Sequence, residues 1–338
     1  MSVLRIQTAG IRTEMMKGVY KMKNHKIKLP TFPEPLSPVC LGTARFGGDY
    51  DEKRSFELLD LYYAMGGRFL DTANVYGRWS GRMMNESELT VGKWLKERGI
   101  TDMVITSKCV HYMPDAPQVS RVNRDCAMRD LDESRRSLGM DVIPIYLTHR
   151  DNRDIDIRVI VDFMAEMVQK GMVTRFGFSN YAADRVAAAI DYMGEDWREM
   201  FVGVSNEWSL HLETKVMENG GHLEGRDGLV MTDTALWQLH REKQIPLIPF
   251  SAAAHGFYAK VKNDGEELSK AEQRVYSGLL EESANSGISV NSLSVAYLLN
   301  AGIPCIPVVA VSRAEQLREF DEIAGFKGDL NYQGSFAR

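Results

Sequence analysis

From Val39 onward the chain alternates short apolar runs with stretches whose apolar residues recur at helical spacing. The runs predict strands at Val39–Gly42, Arg68–Asp71, Met103–Lys108, Val142–His149, Val173–Ser179, Phe201–Val204, Ile245–Phe250 and Cys305–Val309. The helical periodicity predicts helices at Ser55–Met65, Glu86–Arg98, Val122–Leu138, Asp156–Lys170, Ala182–Met193, Thr232–Lys243, Val290–Asn300 and Ala314–Ala324. Gly66-Gly67, Gly99, Gly139, Gly171 and Gly302 each follow a helical stretch, as helix stops do. The strand segments are nearly continuous in apolar residues, which marks parallel strands buried on both faces. Eight such strands alternating with eight helices favour an α/β fold closed into a (β/α)8 TIM barrel, a single domain over residues 39–325. An open doubly wound sheet would carry a glycine-rich phosphate fingerprint after its first strand, and neither the GxGxxG nor the P-loop pattern occurs.

Outside that rhythm, residues 1–38 are basic and then proline-rich (Pro30, Pro33, Pro35, Pro38). They are expected to form an extended arm or small hairpin covering one end of the domain. Residues 326–338 form a C-terminal tail. The longest irregular piece is expected at Glu213–Met231, after strand six; on a barrel it lies on the catalytic face, as a lid or as a surface insertion.

Charge and composition narrow the function class. The 338 residues carry 41 basic and 46 acidic side chains, a net charge of −5, so nucleic acid and anionic membrane are not expected as partners. No run of 18 apolar residues exists to span a bilayer, and the first 20 residues lack the apolar centre of a signal peptide. The four cysteines (Cys40, Cys109, Cys126, Cys305) lie far apart without CxxC pairing, as expected of reduced thiols in a soluble, cytoplasmic protein.

The chemistry concentrates at the ends of strands two to four. In Gly67-Arg68-Phe69-Leu70-Asp71-Thr72-Ala73-Asn74-Val75-Tyr76-Gly77 an apolar run stops at a carboxylate, and a tyrosine follows five residues later. An aspartate there is ordinarily a helix N-cap and a loop tyrosine ordinarily a half-buried filler. Strand three, however, ends at Lys108 and strand four at His149, so four ionisable residues share one quadrant of one barrel mouth. Lys108 beside Tyr76 favours the phenolate and makes the phenol a stronger acid. Asp71 keeps the ammonium in place and charged, and His149 can donate to a carbonyl oxygen. The set suits protonation of an oxygen while a hydride reaches the adjacent carbon. No nucleophile–base pair for acyl transfer, no HExxH and no cluster of metal ligands is present, so no metal is expected.

With its GRFLDTANVYG, ITSKC, IYLTHRD and RFGFSNY blocks, the chain resembles the aldo-keto reductase superfamily from about Val39 to Ile323. The resemblance implies a (β/α)8 barrel that reduces aldehydes and ketones with NADP(H) or, less often, NAD(H). The family's catalytic tetrad falls on Asp71, Tyr76, Lys108 and His149. For the cofactor the resemblance implies Gly42, Thr43 and Asp71, then Ser179 and Asn180 at the carboxamide, and Phe250 and Ser251 at the nicotinamide face and pyrophosphate. Arg313 is implied at a 2′-phosphate, with Gln316 and Glu319 by the adenine. The chain departs from the pattern at Ser205, where a Gln is usual and Asn206 is an alternative partner, and at Ala252, Phe320 and Ala310. Trp79 and Trp208 are expected to wall the substrate pocket beside His149. Arg45, His111, Arg150, Asp151 and His255 on neighbouring loops suggest a polar, sugar-like carbonyl substrate. Two rival functions remain on the same barrel: a cofactor-binding regulatory protein with little turnover, and a Schiff-base lyase using Lys108, which the neighbouring Asp71 disfavours.

Overall fold

A computed structural model describes residues 20–78, 84–226, 228–264, 268–328 and 330. Strands β1 (Cys40–Gly42), β2 (Phe69–Asp71), β3 (Val104–Cys109), β4 (Ile143–Thr148), β5 (Val173–Ser179), β6 (Phe201–Ser205) and β7 (Val308–Val309) form one sheet. Its order is β6-β5-β4-β3-β2-β1-β7 and every pairing is parallel, so the chain is an α/β protein with a curled seven-stranded sheet. The crossovers are helices α1 (Glu52–Ala64), α2 (Glu86–Arg98), α3 (Arg124–Leu138), α4 (Ile157–Gln169) and α5 (Ala183–Met193). After β6 come α6 (Leu210–Glu218), α7 (Thr234–Lys243), α8 (Phe257–Asp264), α9 (Lys270–Ser286) and α10 (Val290–Leu299); α11 (Ala314–Asp321) follows β7. Side-chain oxygens of Asp51, Asn123, Asp156, Ser209, Asp233, Ser269 and Ser289 accept first-turn N–H groups and set where their helices begin.

The strands are apolar throughout because each face meets a different core. Leu41, Leu70, Ile105 and Tyr146 pack outward among the helices. Cys40, Phe69, Ile145, Leu147, Val202, Ile248, Ile306 and Val308 form a second cluster on the concave side. Leu29, Phe32 and Leu36 close that cluster from a small N-terminal hairpin, bridged antiparallel at Ile27 and Leu36. Thr31 ties the hairpin to Val202 O at 2.6 Å, at the end of the sheet away from the site.

Ile245–Phe250, expected as a full strand, forms only isolated bridges. Leu247 pairs in parallel with Val204 on one side and Cys305 on the other. The reason is covalent: Pro246 and Pro249 have no N–H to donate, so the ladder loses one bond on each side. Both carbonyls still accept, from Val204 N at 3.0 Å and Val308 N at 2.8 Å, and Leu247 and Ile248 donate to Pro304 O and Val204 O, each at 2.8 Å. The close approach also needs Gly203 at φ 141°, because a Cβ there would lie 2.2 Å from Pro246 O. Prolines 304 and 307 shorten the last expected strand in the same way, to Val308–Val309.

Three helices escape the periodic reading. The expected irregular stretch Glu213–Met231 begins within α6, where Glu213 is buried and accepts from Trp208 Nε1 at 2.9 Å and Tyr297 Oη at 2.6 Å. The polar α8 and α9 add to α10 between the Ile245–Phe250 segment and β7, where one helix was expected. Their sequences hold too few apolar residues for a period to stand out, and α9 is secured by a Ser269–Glu272 capping box.

Candidate active site

The two-residue pleat of the strands builds the site. Phe69 and Ile145 point to the concave side, so Asp71, two residues after Phe69, points there as well. Leu147 faces the same way and lies in register with Lys108, which brings the ammonium onto that surface. Lys108 Nζ donates to Asp71 Oδ1 at 2.7 Å, Asp71 Oδ2 at 2.8 Å and Thr72 O at 2.8 Å, and lies 3.1 Å from Tyr76 Oη. Asp71 and Lys108 are 4 % and 2 % exposed, so their pairing is not screened by water. Burial works against the Lys108 ammonium, but Asp71 and then Tyr76 outweigh it and raise its pKa.

Tyr76 is delivered by a turn after β2, with its N–H on Ala73 O at 3.0 Å. Gly77 takes φ 97° so that the turn can lie against Glu86, where a Cβ would approach the Glu86 Cβ to 2.6 Å. Arg78 braces the turn on Asn74 O at 3.1 Å and on the Glu133 carboxylate at 2.7 Å. A hydroxyl network fixes the other side. Ser87, in the first turn of α2, meets Thr43 Oγ1 at 2.8 Å and Thr72 Oγ1 at 2.9 Å, while Thr43 Oγ1 donates to Asp71 O at 2.9 Å. The half-buried Tyr76 phenol has a raised pKa, burial prevailing over the lowering effect of Lys108. Lys108 by itself would make the phenol a stronger acid, as expected from the sequence; desolvation of the phenolate reverses the balance.

His149 sits one residue beyond β4, not at its last position, and its ring meets Tyr76 edge-on with 5.6 Å between centroids. Burial, followed by His111, Lys108 and Arg150, holds its pKa well below 6.5, so the ring is neutral. His149 Nδ1 is buried without a hydrogen-bond partner. The structure thus brings buried Asp71, Lys108 and His149 together with half-buried Tyr76 in one cluster.

The residues expected around the cofactor divide into four places. Gly42 pairs in register with Asp71, next to Thr43. Ser179 Oγ donates to Ser205 O at 2.8 Å, and Asn180 (φ 63°) donates to His149 O and Ser179 Oγ, both at 3.1 Å. Ser205 Oγ is buried without a partner. Asn206 is committed elsewhere, donating to Tyr181 O at 2.8 Å and accepting Tyr181 N at 3.2 Å. Half-buried Phe250 ends the 245–250 segment, and half-buried Ser251 (φ 56°) follows it. Arg313, the N-cap of α11, and Glu319 within that helix are exposed, and Gln316 Oε1 accepts the backbone N–H of Ser312 at 2.7 Å and of Arg313 at 3.1 Å. An orphaned buried hydroxyl at Ser205, beside Ser179 and the Asn180 that bonds the His149 carbonyl, fits an amide-bearing ring. Trp208, expected as a pocket wall, is fully enclosed, and its indole N–H is taken by Glu213. Trp79 lies outside the described residues.

Sequence reasoning missed Thr43, Thr72 and Ser87 as a hydroxyl network and the Thr72 carbonyl as a third acceptor for Lys108. The only signal was the polar run Asp71-Thr72-Ala73-Asn74 directly after a buried strand. Among the described residues no group of three or more His, Cys, Asp or Glu is placed to hold a metal ion, and no helix is long and apolar enough to cross a membrane.

The buried titratable groups predict an acid response. His111 and His240 are pushed down to about 4, burial being the main cause, and His149 is lowered as well. The unfolded chain takes up protons near pH 6.5 that the folded chain refuses, so stability from these rings is complete above that value and lost as pH falls. Glu88, buried on α2 and hydrogen-bonded by Ser107 and Asn85, has the opposite sign. Burial raises it to about 7 from 4.5, so its contribution is present at low pH and lost as pH rises through about 7. Each such group contributes about 1.4 kcal/mol per pH unit inside its window. Glu88→Gln therefore steepens the fall in urea midpoint between about pH 7 and about pH 5; an unchanged slope would show Glu88 ionised in the fold.

Residues 38–327 match the model of the Aldo/keto reductase family. A norsolorinic acid reductase of Emericella nidulans is 23% identical over 314 residues, 87% of this chain and 75% of that protein. An aryl-alcohol dehydrogenase [NADP(+)] of Phanerodontia chrysosporium is 25% identical over 328 residues, covering 88% and 80% of the two chains. Among solved structures, a thermostable aldo-keto reductase crystallised with the inhibitor epalrestat superposes with a TM-score of 0.67 at 24% identity, over 90% of this chain and 95% of that one.

Proposed function

The chain belongs to the aldo/keto reductase family, an oxidoreductase family, and from that premise we propose that it reduces an aldehyde or ketone with NADPH, or with NADH, at the Asp71–Tyr76–Lys108–His149 cluster. The observation that carries the reading is the buried ammonium of Lys108, held by three acceptor contacts on Asp71 and Thr72 and 3.1 Å from the Tyr76 hydroxyl. The nicotinamide cofactor, when bound, supplies the hydride.

Tyr76 gives its phenolic proton to the substrate oxygen as that oxygen gains charge. Lys108 stabilises the resulting phenolate, the form that burial disfavours in the absence of a cation. Asp71 keeps the ammonium charged and fixed. His149 is neutral; with its proton on Nε2, the buried Nδ1 keeps only an unfilled lone pair, the less costly orphan, and the ring presents a donor for the substrate oxygen. Ser179, Asn180 and Ser205 would hold the carboxamide; Asn206, committed to the Tyr181 backbone, leaves Ser205 in that role. Phe250 would lie against the ring and fix which face it presents. Gly42, Thr43 and Ser251 complete the ring and pyrophosphate contacts. Arg313 is assigned to the 2′-phosphate, with Gln316 and Glu319 by the adenine. Among the polar loop residues, half-buried Arg150 favours a hydroxylated, sugar-derived carbonyl, whereas His111 is enclosed against the His149 ring. We also propose that the 245–250 segment completes a closed (β/α)8 barrel over residues 39–325, supported by its parallel bridges to both β6 and Cys305.

The deciding experiment is turnover of NADPH and NADH with a panel of sugar and aryl aldehydes and ketones, beside fluorescence titration of each cofactor. Tight cofactor binding without turnover across the panel would favour the regulatory reading. Arg313→Ala is expected to weaken NADPH binding about tenfold and leave NADH binding unchanged, since the pairing is with a charged phosphate at an exposed site. Equal losses for both cofactors would remove Arg313 from that role.

A further inference from the structure

Directly after β3 the chain makes a turn that the proposed reaction does not account for. Val110 takes φ 56°, a left-handed conformation that a β-branched residue rarely adopts. Two contacts impose it. Val110 N donates to Asp130 Oδ2 at 2.9 Å, and His111 O accepts from Arg121 Nη1 at 2.8 Å. Asp130, 3 % exposed, and Arg121 are themselves an ion pair, so one buried couple from α3 and the preceding loop grips both ends of the turn.

The product of that turn is the placement of the His111 ring. It is 3 % exposed and lies against the His149 ring, with 4.6 Å between centroids and planes at 66°. Its Nδ1 lies 2.8 Å from Tyr112 O, and because a carbonyl only accepts, Nδ1 carries the proton. His149 thus has Tyr76 edge-on at 5.6 Å and His111 at 4.6 Å. No hydrogen bond steers His149 Nδ1 from within the protein, so ring contacts are what orient it.

We propose that His111 is a positioning residue: the Asp130–Arg121 pair locks the Val110 turn so that the His111 ring wedges the His149 imidazole opposite the Tyr76 phenol. The proposal rests on the assignment of Tyr76 and His149 to the reaction, and it deepens that assignment by explaining how His149 is oriented. His111 touches neither substrate nor cofactor in this role. The charged and titratable groups facing the two rings are Tyr76, Lys108, Arg150 and Tyr112, with Arg121 behind His111.

The test compares His111→Ala and His111→Phe with the wild type and with Tyr76→Phe, following kcat, cofactor affinity and the NMR titration of the His149 ring. His111→Ala is expected to lower kcat about tenfold or more, as a misplaced reacting group does, with cofactor affinity unchanged. Its His149 resonances should begin to titrate between about pH 5 and about pH 7, where the wild-type ring stays neutral, because water enters the vacated space. His111→Phe restores a ring of similar breadth and should recover most of the lost kcat. A His149 titration in His111→Ala identical to wild type would overturn the proposal, as would a full kcat in that variant. Should His111→Ala fail to fold, His111→Phe decides: loss of kcat as deep as in Tyr76→Phe overturns the wedge. If wild type and Tyr76→Phe are equally inactive, the reaction assignment fails instead, and the NMR comparison still tests the wedge.

Discussion

Tyr76→Phe is expected to lower carbonyl reduction by about 10²–10⁴-fold, the usual contribution of a positioned general acid, and to leave cofactor affinity near the wild-type value. The substitution removes one oxygen and keeps the ring, so the edge contact with His149 at 5.6 Å survives. What disappears is the proton that must reach the substrate oxygen. Lys108 Nζ keeps its contacts to Asp71 and to Thr72 O, so the buried cluster stays satisfied and the fold should tolerate the change. The measurements are kcat with a good carbonyl substrate and the fluorescence of bound reduced cofactor. If activity and cofactor binding fall together, Tyr76 is holding the cofactor and the role given to it here is wrong.

Lys108→Met is expected to damage both stability and turnover. It leaves the Asp71 carboxylate in a site 4 % exposed without its cation. Breaking a buried pair from one side costs about 3–5 kcal/mol, because the remaining charge is uncompensated. Turnover should fall at least about 10²-fold, since nothing then offsets the burial of the developing Tyr76 phenolate. Adding Asp71→Asn removes the stranded charge and is expected to recover most of the stability and none of the turnover. Urea midpoints and single-turnover rates separate the two effects; a single variant as stable as the wild type would mean the carboxylate was not ionised. In the wild type the raised Lys108 pKa gives its ammonium a pH signature: that contribution is complete below pH 10.5 and lost as the pH rises beyond. Burial, opposed by Lys108, raises the Asp71 pKa, so at acid pH the pair loses its anion instead.

Much of the candidate site's geometry was legible in the sequence because the residues that form it obey local rules. Asp71 and Lys108 reach the same surface through strand pleating, and parallel pairing of β2 with β3 and of β3 with β4 sets their neighbours. An apolar run that ends on a carboxylate or an ammonium shows in a linear reading. Thr72 contributes its carbonyl, which every residue has, so no side-chain pattern marks it as the third acceptor for Lys108. Trp208 sits just after β6 and read as a pocket wall, yet a partner on α6, Glu213, draws its indole into the packing. The balance of the Tyr76 pKa depended on how far the phenol is buried, a quantity without a local signature.

The sequence by itself determined the alternation of parallel strands and helices, and with it which strand ends carry Asp71, Lys108 and His149, because both follow from periodicities of two and 3.6 residues. Tertiary structure alone decided the rest. Pro246 and Pro249 reduce an expected strand to isolated bridges through the donors they lack toward β6 and the Cys305 segment. The Asp130–Arg121 pair holds Val110 in a conformation its own side chain disfavours, and so places His111 against His149. Each of these joins residues from separate elements, and the free energy that selects them exists only once those elements have packed.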